Sequence, residues 1–312
     1  MCQYFASFGE SEMKSIVTVI IVVILSLVLA LPATAAMSKL THSFRLGETE
    51  IKINIYDKEG SRVTFFSPHH NEQIAHRLAK EYIEKNGGRL VEIESFDEKG
   101  KPSRYLKFTV NGKPYSIDPN RIFTENGRRC GGFPAEIAPA VKQFAEDFLK
   151  IVLADDARTL RDGERFIVAV HNNTDVDSKD TAAQPNDLTA FAFVKARNSV
   201  HLFQEQADGV YISNSEDDAD NFIFVSTPKY VSYFAEKGFN VVVQKNAGKL
   251  NSEKCTVDDG SFSVFSAQNE IQYICLEADS LSGFLRQKAM FEAVYELARR
   301  ENQVDKTLAV NK

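Results

Sequence analysis

The feature that most constrains the fold is an alternation of short apolar segments with longer amphipathic segments, which begins at residue 44. The predicted strands are residues 44–56, 63–67, 90–94, 105–110, 114–117, 166–170, 222–225, 240–244 and 271–276. The predicted helices are residues 72–85, 135–154, 230–237 and 281–300. Buried strands that alternate with helices assemble into a sheet covered on both faces. The sequence therefore predicts an α/β fold with a mixed, mostly parallel sheet and helices on both faces.

The N-terminal segment is typical of a secretory signal. Residues 16–31 form an apolar run, shorter than the roughly 20 residues that a membrane span needs. Small residues at 33–36 then supply an A-x-A cleavage site. We therefore predict a signal peptide over residues 1–35, with Met13 as the better initiator, and one catalytic domain over residues 36–312. An uncleaved membrane anchor is the alternative.

Charge and cysteine content narrow the class of protein. The formal net charge is −6 and no basic stripe is present, so a nucleic-acid partner is not expected. Three cysteines follow the predicted signal, namely Cys130, Cys255 and Cys275, which allows one internal disulfide at most. A Cys255–Cys275 pair is conceivable, but the expectation is that these thiols are unpaired.

His69 and Glu72 follow the predicted strand 63–67 and stand three residues apart, at the start of the predicted helix 72–85. This spacing lets an imidazole and a carboxylate converge from one turn, as a tetrahedral metal site requires. Catalytic zinc takes three protein ligands and leaves one position for water, and two histidines with one glutamate are a known set. We predict His69 and Glu72 as ligands, with His70 as the competing imidazole.

The third ligand must come from elsewhere in the chain. His171 follows the predicted buried strand 166–170 and precedes polar residues. A histidine at the carboxyl end of a buried strand is well placed for a site, since ligands bind at that edge of open α/β sheets. The alternative for His171 is a capping role in a turn. His76 lies one helical turn past Glu72 and is expected at the surface.

A basic residue and a second carboxylate complete the candidate set. Asn111-Gly112 predicts a hairpin between the strands 105–110 and 114–117. Asn120 and Arg121 follow this hairpin in a segment held by a proline, and a planar guanidinium suits a carboxylate. The alternative for Arg121 is a structural salt bridge. Glu277 stands at the end of the apolar strand 271–276, where a carboxylate is costly to bury unless it has a partner or a function. We predict Glu277 as a general base.

The order of these motifs resembles the zinc carboxypeptidase superfamily. The sequences HHNE at residues 69–72, DPNRIF at 118–123 and VHNNT at 170–174 are similar to the family motifs H-x-N-E, D-L-N-R-x-F and L-H-N-T. These motifs are closest to the aspartoacylase and succinylglutamate desuccinylase branch and to related exported carboxypeptidases. The resemblance implies the fold of that superfamily, a single Zn²⁺, and hydrolysis of an amide next to a free carboxylate.

The family also places a basic residue upstream of the Asn-Arg pair, where it polarises the scissile carbonyl. The desuccinylase-like spacing indicates Lys113, and the carboxypeptidase-like spacing indicates Arg104. Both are therefore predicted as candidates for this role, together with Asn120 and Arg121 as substrate-binding residues.

The predicted function is that of an exported zinc-dependent amide hydrolase, periplasmic or secreted, in a bacterium. The expected partner is a peptide or acyl-amino acid with a free carboxylate, such as a fragment of peptidoglycan, and the only expected membrane contact is through the export signal. Two alternatives stay open. One is a catalytically inactive envelope module that binds peptide C-termini, and the other is an N-acyl-amino-acid deacylase.

Overall fold

The computed structural model describes residues 36–153, 166–173, 207–218, 220–246 and 254–310. The described strands are β1 (Ser38–Leu46), β2 (Thr49–Lys58), β3 (Val63–Ser67), β4 (Gly88–Glu94), β5 (Leu106–Val110), β6 (Lys113–Ile117), β7 (Phe166–Asn173), β8 (Ala207–Tyr211), β9 (Phe222–Val225), β10 (Asn240–Gln244) and β11 (Tyr273–Asp279). The described helices are α1 (Gln73–Asn86), α2 (Glu125–Cys130), α3 (Ala138–Val152), α4 (Val231–Glu236), α5 (Phe262–Gln268) and α6 (Phe284–Val310).

Nine of these strands form one sheet in the order β1-β2-β4-β3-β7-β11-β9-β10-β8, and β5 and β6 form a separate hairpin. The central strands β4, β3, β7 and β11 run parallel to one another, as do β9 and β10. The other four pairings are antiparallel. The predicted mixed α/β class is confirmed, and its parallel pairings lie at the centre of the sheet and between β9 and β10.

One face of the sheet packs against α3 and α5. Phe66 lies at the centre of this layer, and its ring centroid is 5.0 Å from that of Phe262 and 5.4 Å from that of Phe148. Because side chains alternate across a strand, the neighbouring Phe65 enters the other layer, where its ring centroid lies 4.8 Å from that of Phe291 in α6. Helices α1, α4 and α6 cover that second face. The prediction of helices on both faces is confirmed.

The predicted strand 44–56 is wrong as a single element, because it is an antiparallel hairpin of β1 and β2. The chain turns at Gly47, whose φ of 62° is in the left-handed region. A Cβ atom at this position would lie 2.3 Å from the carbonyl oxygen of Thr109. Glycine is thus required both by the backbone conformation and by the close approach of the β5–β6 hairpin.

The last strand and helix begin later than predicted, at Tyr273 and Phe284. The strand extends through Asp279, whose Oδ1 accepts hydrogen bonds from the backbone N–H groups of Leu281 and Ser282. This turn delays the helix, since an aspartate that binds the following N–H groups favours a turn over a helical start at its own position. The shift places Glu277 inside β11 rather than beyond its end.

The expectation that the cysteines are unpaired is wrong for two of them. Cys130 and Cys255 form a disulfide across 125 residues, and Cys275 is a buried free thiol. The conceivable Cys255–Cys275 pair is therefore also wrong. The bridge joins the end of α2 to the segment before α5, and Asp259 and Ser261 of the latter segment line the cavity described below.

The predicted signal peptide, residues 1–35, lies outside the described residues. Within the described part of the chain, no helix combines the length and the apolar character that crossing a membrane requires.

Candidate metal centre and its cavity

His69 and Glu72 lie in the turn that joins the carboxyl end of β3 to α1. The backbone N–H of Glu72 donates to the carbonyl of His69 over 3.2 Å, and the N–H of His76 donates to the carbonyl of Glu72. Glu72 therefore occupies the N-cap position of α1, and its side chain makes no capping hydrogen bond. A helix N-terminus carries partial positive charge, which favours a carboxylate at this position.

His171 and Glu277 lie on the adjacent parallel strands β7 and β11, opposite each other in the pairing register. Both side chains are buried. The backbone at His171 is held from α6, since Nε2 of Gln287 donates to its carbonyl over 2.8 Å. The parallel strands therefore bring the predicted third ligand and the predicted base to one edge of the sheet, next to the turn that follows β3.

The three predicted ligands converge on a common point. Nδ1 of His69 lies 2.8 Å from Oε1 of Glu72, and Nδ1 of His171 lies 3.0 Å from Oε2 of the same carboxylate. One ligand atom from each of the three residues lies within 4.8 Å of the others. All three residues are buried, and within the described part of the chain Glu72 Oε2 has no hydrogen bond. Two imidazoles and a carboxylate in this arrangement fit a divalent metal ion, and their composition suits zinc.

Asp118 is a site residue that the sequence interpretation missed. Its Oδ1 lies 2.9 Å from Nε2 of His69, so Nε2 donates to Asp118 and Nδ1, on the side of Glu72, is the nitrogen that a metal ion would take. A carboxylate that holds the outer nitrogen of a metal-binding histidine is a common second layer of zinc sites. The sequence signal was present, because Asp118 is the first residue of the motif that contains Arg121.

Arg104 completes this layer. Its guanidinium donates from Nε and Nη2 to Oδ2 of Asp118 over 3.1 and 3.0 Å, and its Nη1 lies 3.6 Å from Oε1 of Glu72. Lys113, the other basic candidate, is not brought to the site. Its side chain is 66% exposed at the start of β6, and its Nζ lies 3.6 Å from Glu136. The β5–β6 hairpin turns Lys113 outward. Arg104 precedes this hairpin in the chain and lines the cavity that opens onto the metal centre.

The pKa values of the buried groups follow from burial and from their neighbours. Burial favours the neutral form of Glu72, but His171 and His69 hold the pKa of its carboxyl well below the ordinary value. Burial likewise opposes the charged form of Asp118, whose pKa is nevertheless lowered by His69, Arg121 and Arg104. Burial raises the pKa of Glu277. Glu72 and Asp118 are thus held ionised, while Glu277 is shifted toward its neutral form.

A cavity of about 100 Å³ opens onto this centre. Its lining combines the candidate ligands and basic residues with a set of mostly polar side chains, namely His69, Glu72, Arg104, Asn120, Arg121, His171, Asn173, Phe224, Asp259, Ser261, Ser263, Tyr273, Cys275 and Glu277. The Sγ–H of Cys275 donates to Oε1 of Glu277 over 3.2 Å. Neither this thiol nor Asp259 was found from the sequence, since no motif marks them.

Asn120 and Arg121 lie in a short 3-10 turn, Pro119–Arg121, that Asp118 caps by accepting from the N–H of Asn120. The side-chain oxygen of Asn120 accepts from the backbone N–H of Phe262, which leaves its NH₂ group as the donor for a ligand. Arg121 donates from Nη1 to the carbonyl of Asn120, and its Nε lies 3.5 Å from Oδ2 of Asp259. The guanidinium is thus fixed at the cavity wall by one neutral and one charged contact.

Comparisons with known proteins leave the family of this chain open. No family model matches the sequence, and no curated protein matches it. Among solved structures, the fold is similar to a crystal structure named "putative carboxypeptidase" from Burkholderia mallei ATCC 23344, with 10% sequence identity and a TM-score of 0.38. The alignment covers 94% of this chain and 68% of the other. A similarity this weak assigns neither a family nor an activity.

Proposed function

We propose that this chain is a zinc-dependent amide hydrolase that cleaves an amide bond next to a free carboxylate, in the manner of a carboxypeptidase. The observation that carries the proposal is the convergence of His69, Glu72 and His171 at a cavity that also holds a buried carboxylate and two guanidinium groups. We further propose that the fold is of the zinc carboxypeptidase type. The order of the three motifs along the chain supports this assignment.

His69, Glu72 and His171 would hold the zinc ion. When bound, zinc supplies a Lewis acid for the scissile carbonyl and lowers the pKa of a water molecule. Glu277 faces the same cavity from the strand next to His171, so it is positioned to accept the proton of the attacking water and to deliver it to the leaving amine. The Cys275 thiol, which donates to Oε1 of Glu277, keeps this carboxylate in one orientation.

Arg121 and Asn120 are the proposed site for the substrate carboxylate. The NH₂ group of Asn120 is left for a ligand, and the guanidinium is the fixed positive charge beside it. Binding a carboxylate here fixes the position of the scissile bond, which is chiefly an effect of orientation. Arg104, bound to Asp118 and close to Glu72, is the proposed residue that stabilises negative charge on the carbonyl oxygen.

We propose that the enzyme is exported and acts in the periplasm or outside the cell. The Cys130–Cys255 disulfide supports this location, because structural disulfides persist in oxidising compartments. The predicted signal peptide is the second support. The substrate of such an exported enzyme would be a peptide or an acyl-amino acid with a free carboxylate, including fragments of peptidoglycan.

An N-acyl-amino-acid deacylase would need the same metal, base and carboxylate site, so it differs from a carboxypeptidase only in the acyl group that it accepts. A non-catalytic module that binds peptide C-termini is less well supported. Such a module would need Arg121 and Asn120 but would have no use for Glu277 and a three-ligand centre at the same cavity.

The test is incubation of the zinc-loaded protein with a library of peptides, muropeptides and N-acyl-amino acids, followed by mass spectrometry. We expect loss of a C-terminal residue or of an acyl group from substrates with a free carboxylate, and cleavage at least about a hundredfold slower by a Glu277→Gln variant. Binding of free carboxylates without any turnover by the zinc-loaded protein would instead favour the non-catalytic module.

A further inference from the structure

A second group of buried metal-binding side chains lies on the other side of the turn between β3 and α1. It consists of His70 in the turn, His76 in α1 and Glu92 in β4, and one ligand atom from each lies within 4.8 Å of the others. Nε2 of His70 lies 3.8 Å from Oε1 of Glu92, and Nδ1 of His76 lies 3.3 Å from Oε2. The expectation that His76 lies at the surface is wrong, since only 2% of it is exposed.

The outer nitrogen of each ring already has a backbone carbonyl as its partner. Nδ1 of His70 lies 2.6 Å from the carbonyl oxygen of Ser95, and Nε2 of His76 lies 3.1 Å from that of His69. A carbonyl oxygen can only accept, so a proton on the ring nitrogen that faces it satisfies each of these contacts. The backbone N–H of Ser95 also approaches Nδ1 of His70, to 3.1 Å, and the Ser67 hydroxyl contacts Nε2 of His76. In the tautomers that satisfy both carbonyls, the inner nitrogens, Nε2 of His70 and Nδ1 of His76, turn their lone pairs toward one carboxylate.

Lone pairs that face a carboxylate repel it unless a cation lies between them. Nδ1 of His76 is buried and has no hydrogen-bond partner among the residues that the structure describes. Lys80 Nζ lies 2.8 Å from Oε2 of Glu92, so it engages one carboxylate oxygen and leaves Oε1 for His70. In a tetrahedral site with bonds of about 2.0–2.2 Å, ligand atoms lie about 3.4 Å apart. The separation of 3.8 Å between Nε2 of His70 and Oε1 of Glu92 is close to this value, and one ligand atom from each of the three residues lies within 4.8 Å of the others.

A hydrolytic triad is the competing interpretation of the same residues. Ser67 Oγ contacts Nε2 of His76, and Nδ1 of His76 faces Glu92, which is the connectivity of a Ser-His-acid triad. Ser67, however, has no exposed surface and does not line the cavity of the candidate metal centre. A nucleophile that no substrate can reach does not catalyse acyl transfer, so the triad interpretation fails.

We propose that His70, His76 and Glu92 form a second, structural site for a divalent transition-metal ion, with zinc as the best match to two imidazoles and a carboxylate. The pattern of outer nitrogens bonded to carbonyls is the second layer that metal-binding histidines usually have. A metal here ties together the β3–α1 turn, α1 and β4. That turn also contains His69 and Glu72, so the second site would hold the candidate catalytic ligands in position.

The experiment is a metal titration of the full-length protein, stripped with a chelator and reloaded with Zn²⁺ or Co²⁺. Bound metal is counted by elemental analysis after dialysis, and the ligand field is followed by Co²⁺ absorption. We expect two equivalents in the wild type, one in Glu92→Gln, one in His171→Ala, and none in the double variant. Glu92→Gln preserves volume, and thermal melting reports whether each variant is folded.

Lys80→Met is the matched control, because it removes the neighbouring cation without removing a ligand. It should retain two equivalents and bind the second more tightly, since a positive charge beside the site opposes metal binding. One equivalent in the wild type that His171→Ala abolishes would overturn the second site and leave the proposed function intact. One equivalent that Glu92→Gln abolishes but His171→Ala retains would support the second site and overturn the proposed function. If Glu92→Gln does not fold, His70→Gln replaces it, and an undiminished two equivalents in that variant would contradict the proposal.

Discussion

Replacing Asp118 by asparagine should weaken zinc binding without removing a ligand. Oδ1 of Asp118 lies 2.9 Å from Nε2 of His69, and Oδ2 accepts two hydrogen bonds from Arg104. Asparagine keeps the shape of the side chain but loses the negative charge that makes the imidazole of His69 a stronger electron donor. The effect should therefore fall on metal affinity rather than on the fold.

The magnitude follows from the position of Asp118 behind a single ligand. Loss of such a partner typically lowers metal affinity by about 10–100-fold, which corresponds to roughly 1.4–2.7 kcal/mol of binding free energy. The upper part of this range is expected because the contact between Asp118 and His69 is charge-assisted and largely shielded from water.

The assay is competition with a chelator of known zinc affinity. It measures the affinity of the zinc equivalent at His69, Glu72 and His171, which is the one that His171→Ala should abolish. Asp259→Asn is the matched control, since this carboxylate lines the same cavity but contacts Arg121 rather than a ligand. Zinc affinity of Asp118→Asn equal to that of the wild type would refute the reasoning. Equal losses in Asp118→Asn and Asp259→Asn would show instead that the general charge of the cavity decides affinity.

Three further predictions concern the base, the substrate carboxylate and the disulfide. Glu277→Gln should keep the fold and the zinc but lower turnover by at least about a hundredfold. Glu270 is exposed, so Glu270→Gln should leave turnover unchanged. Steady-state kinetics in which Glu270→Gln loses activity and Glu277→Gln keeps it would contradict Glu277 as the base. Arg121→Ala should reduce kcat/KM for substrates with a free carboxylate far more than for their amides, because an amide cannot replace a bidentate carboxylate contact; equal losses would make Arg121 structural. Replacing Cys130 and Cys255 by serine opens a loop of 125 residues and should lower the free energy of unfolding by up to about 5 kcal/mol; denaturant unfolding with an unchanged midpoint would contradict this.

The sheet could be predicted where local pattern and tertiary environment agree. Val63–Ser67 and Asn240–Gln244 are short apolar runs bounded by polar residues, and the structure has strands with these bounds. The β5–β6 hairpin was likewise found from its Asn111-Gly112 turn, at which both residues have positive φ. In each case the residues that decide the structure are neighbours in sequence.

Boundaries that depend on one turn were missed. Gly47 divides the predicted strand 44–56, and its meaning becomes clear only from the approach of Thr109, about sixty residues later in the chain. The disulfide is a stronger case of the same limit, since 125 residues separate Cys130 from Cys255. Sequence spacing carries no information about which distant segments meet.

The candidate site likewise contains residues that could be predicted from the sequence and residues that could not. His69, Glu72 and His171 were predicted from motif order and strand ends, and the structure brings them together. The choice between Arg104 and Lys113 depended on how the β5–β6 hairpin is oriented, which spacing alone does not determine. The side chains that support the site from behind were missed, because a residue that acts through another leaves no separate pattern in the sequence.

The central claim is that zinc binds to His69, Glu72 and His171, and anomalous diffraction at the zinc absorption edge tests it most directly. Crystals of the zinc-loaded protein should give an anomalous peak in contact with one nitrogen of each histidine and with the Glu72 carboxylate. The peak should disappear from crystals of His171→Ala, while a peak at His70, His76 and Glu92 would report the second site separately. A folded, zinc-loaded protein with no anomalous density at His69, Glu72 and His171 would contradict the account.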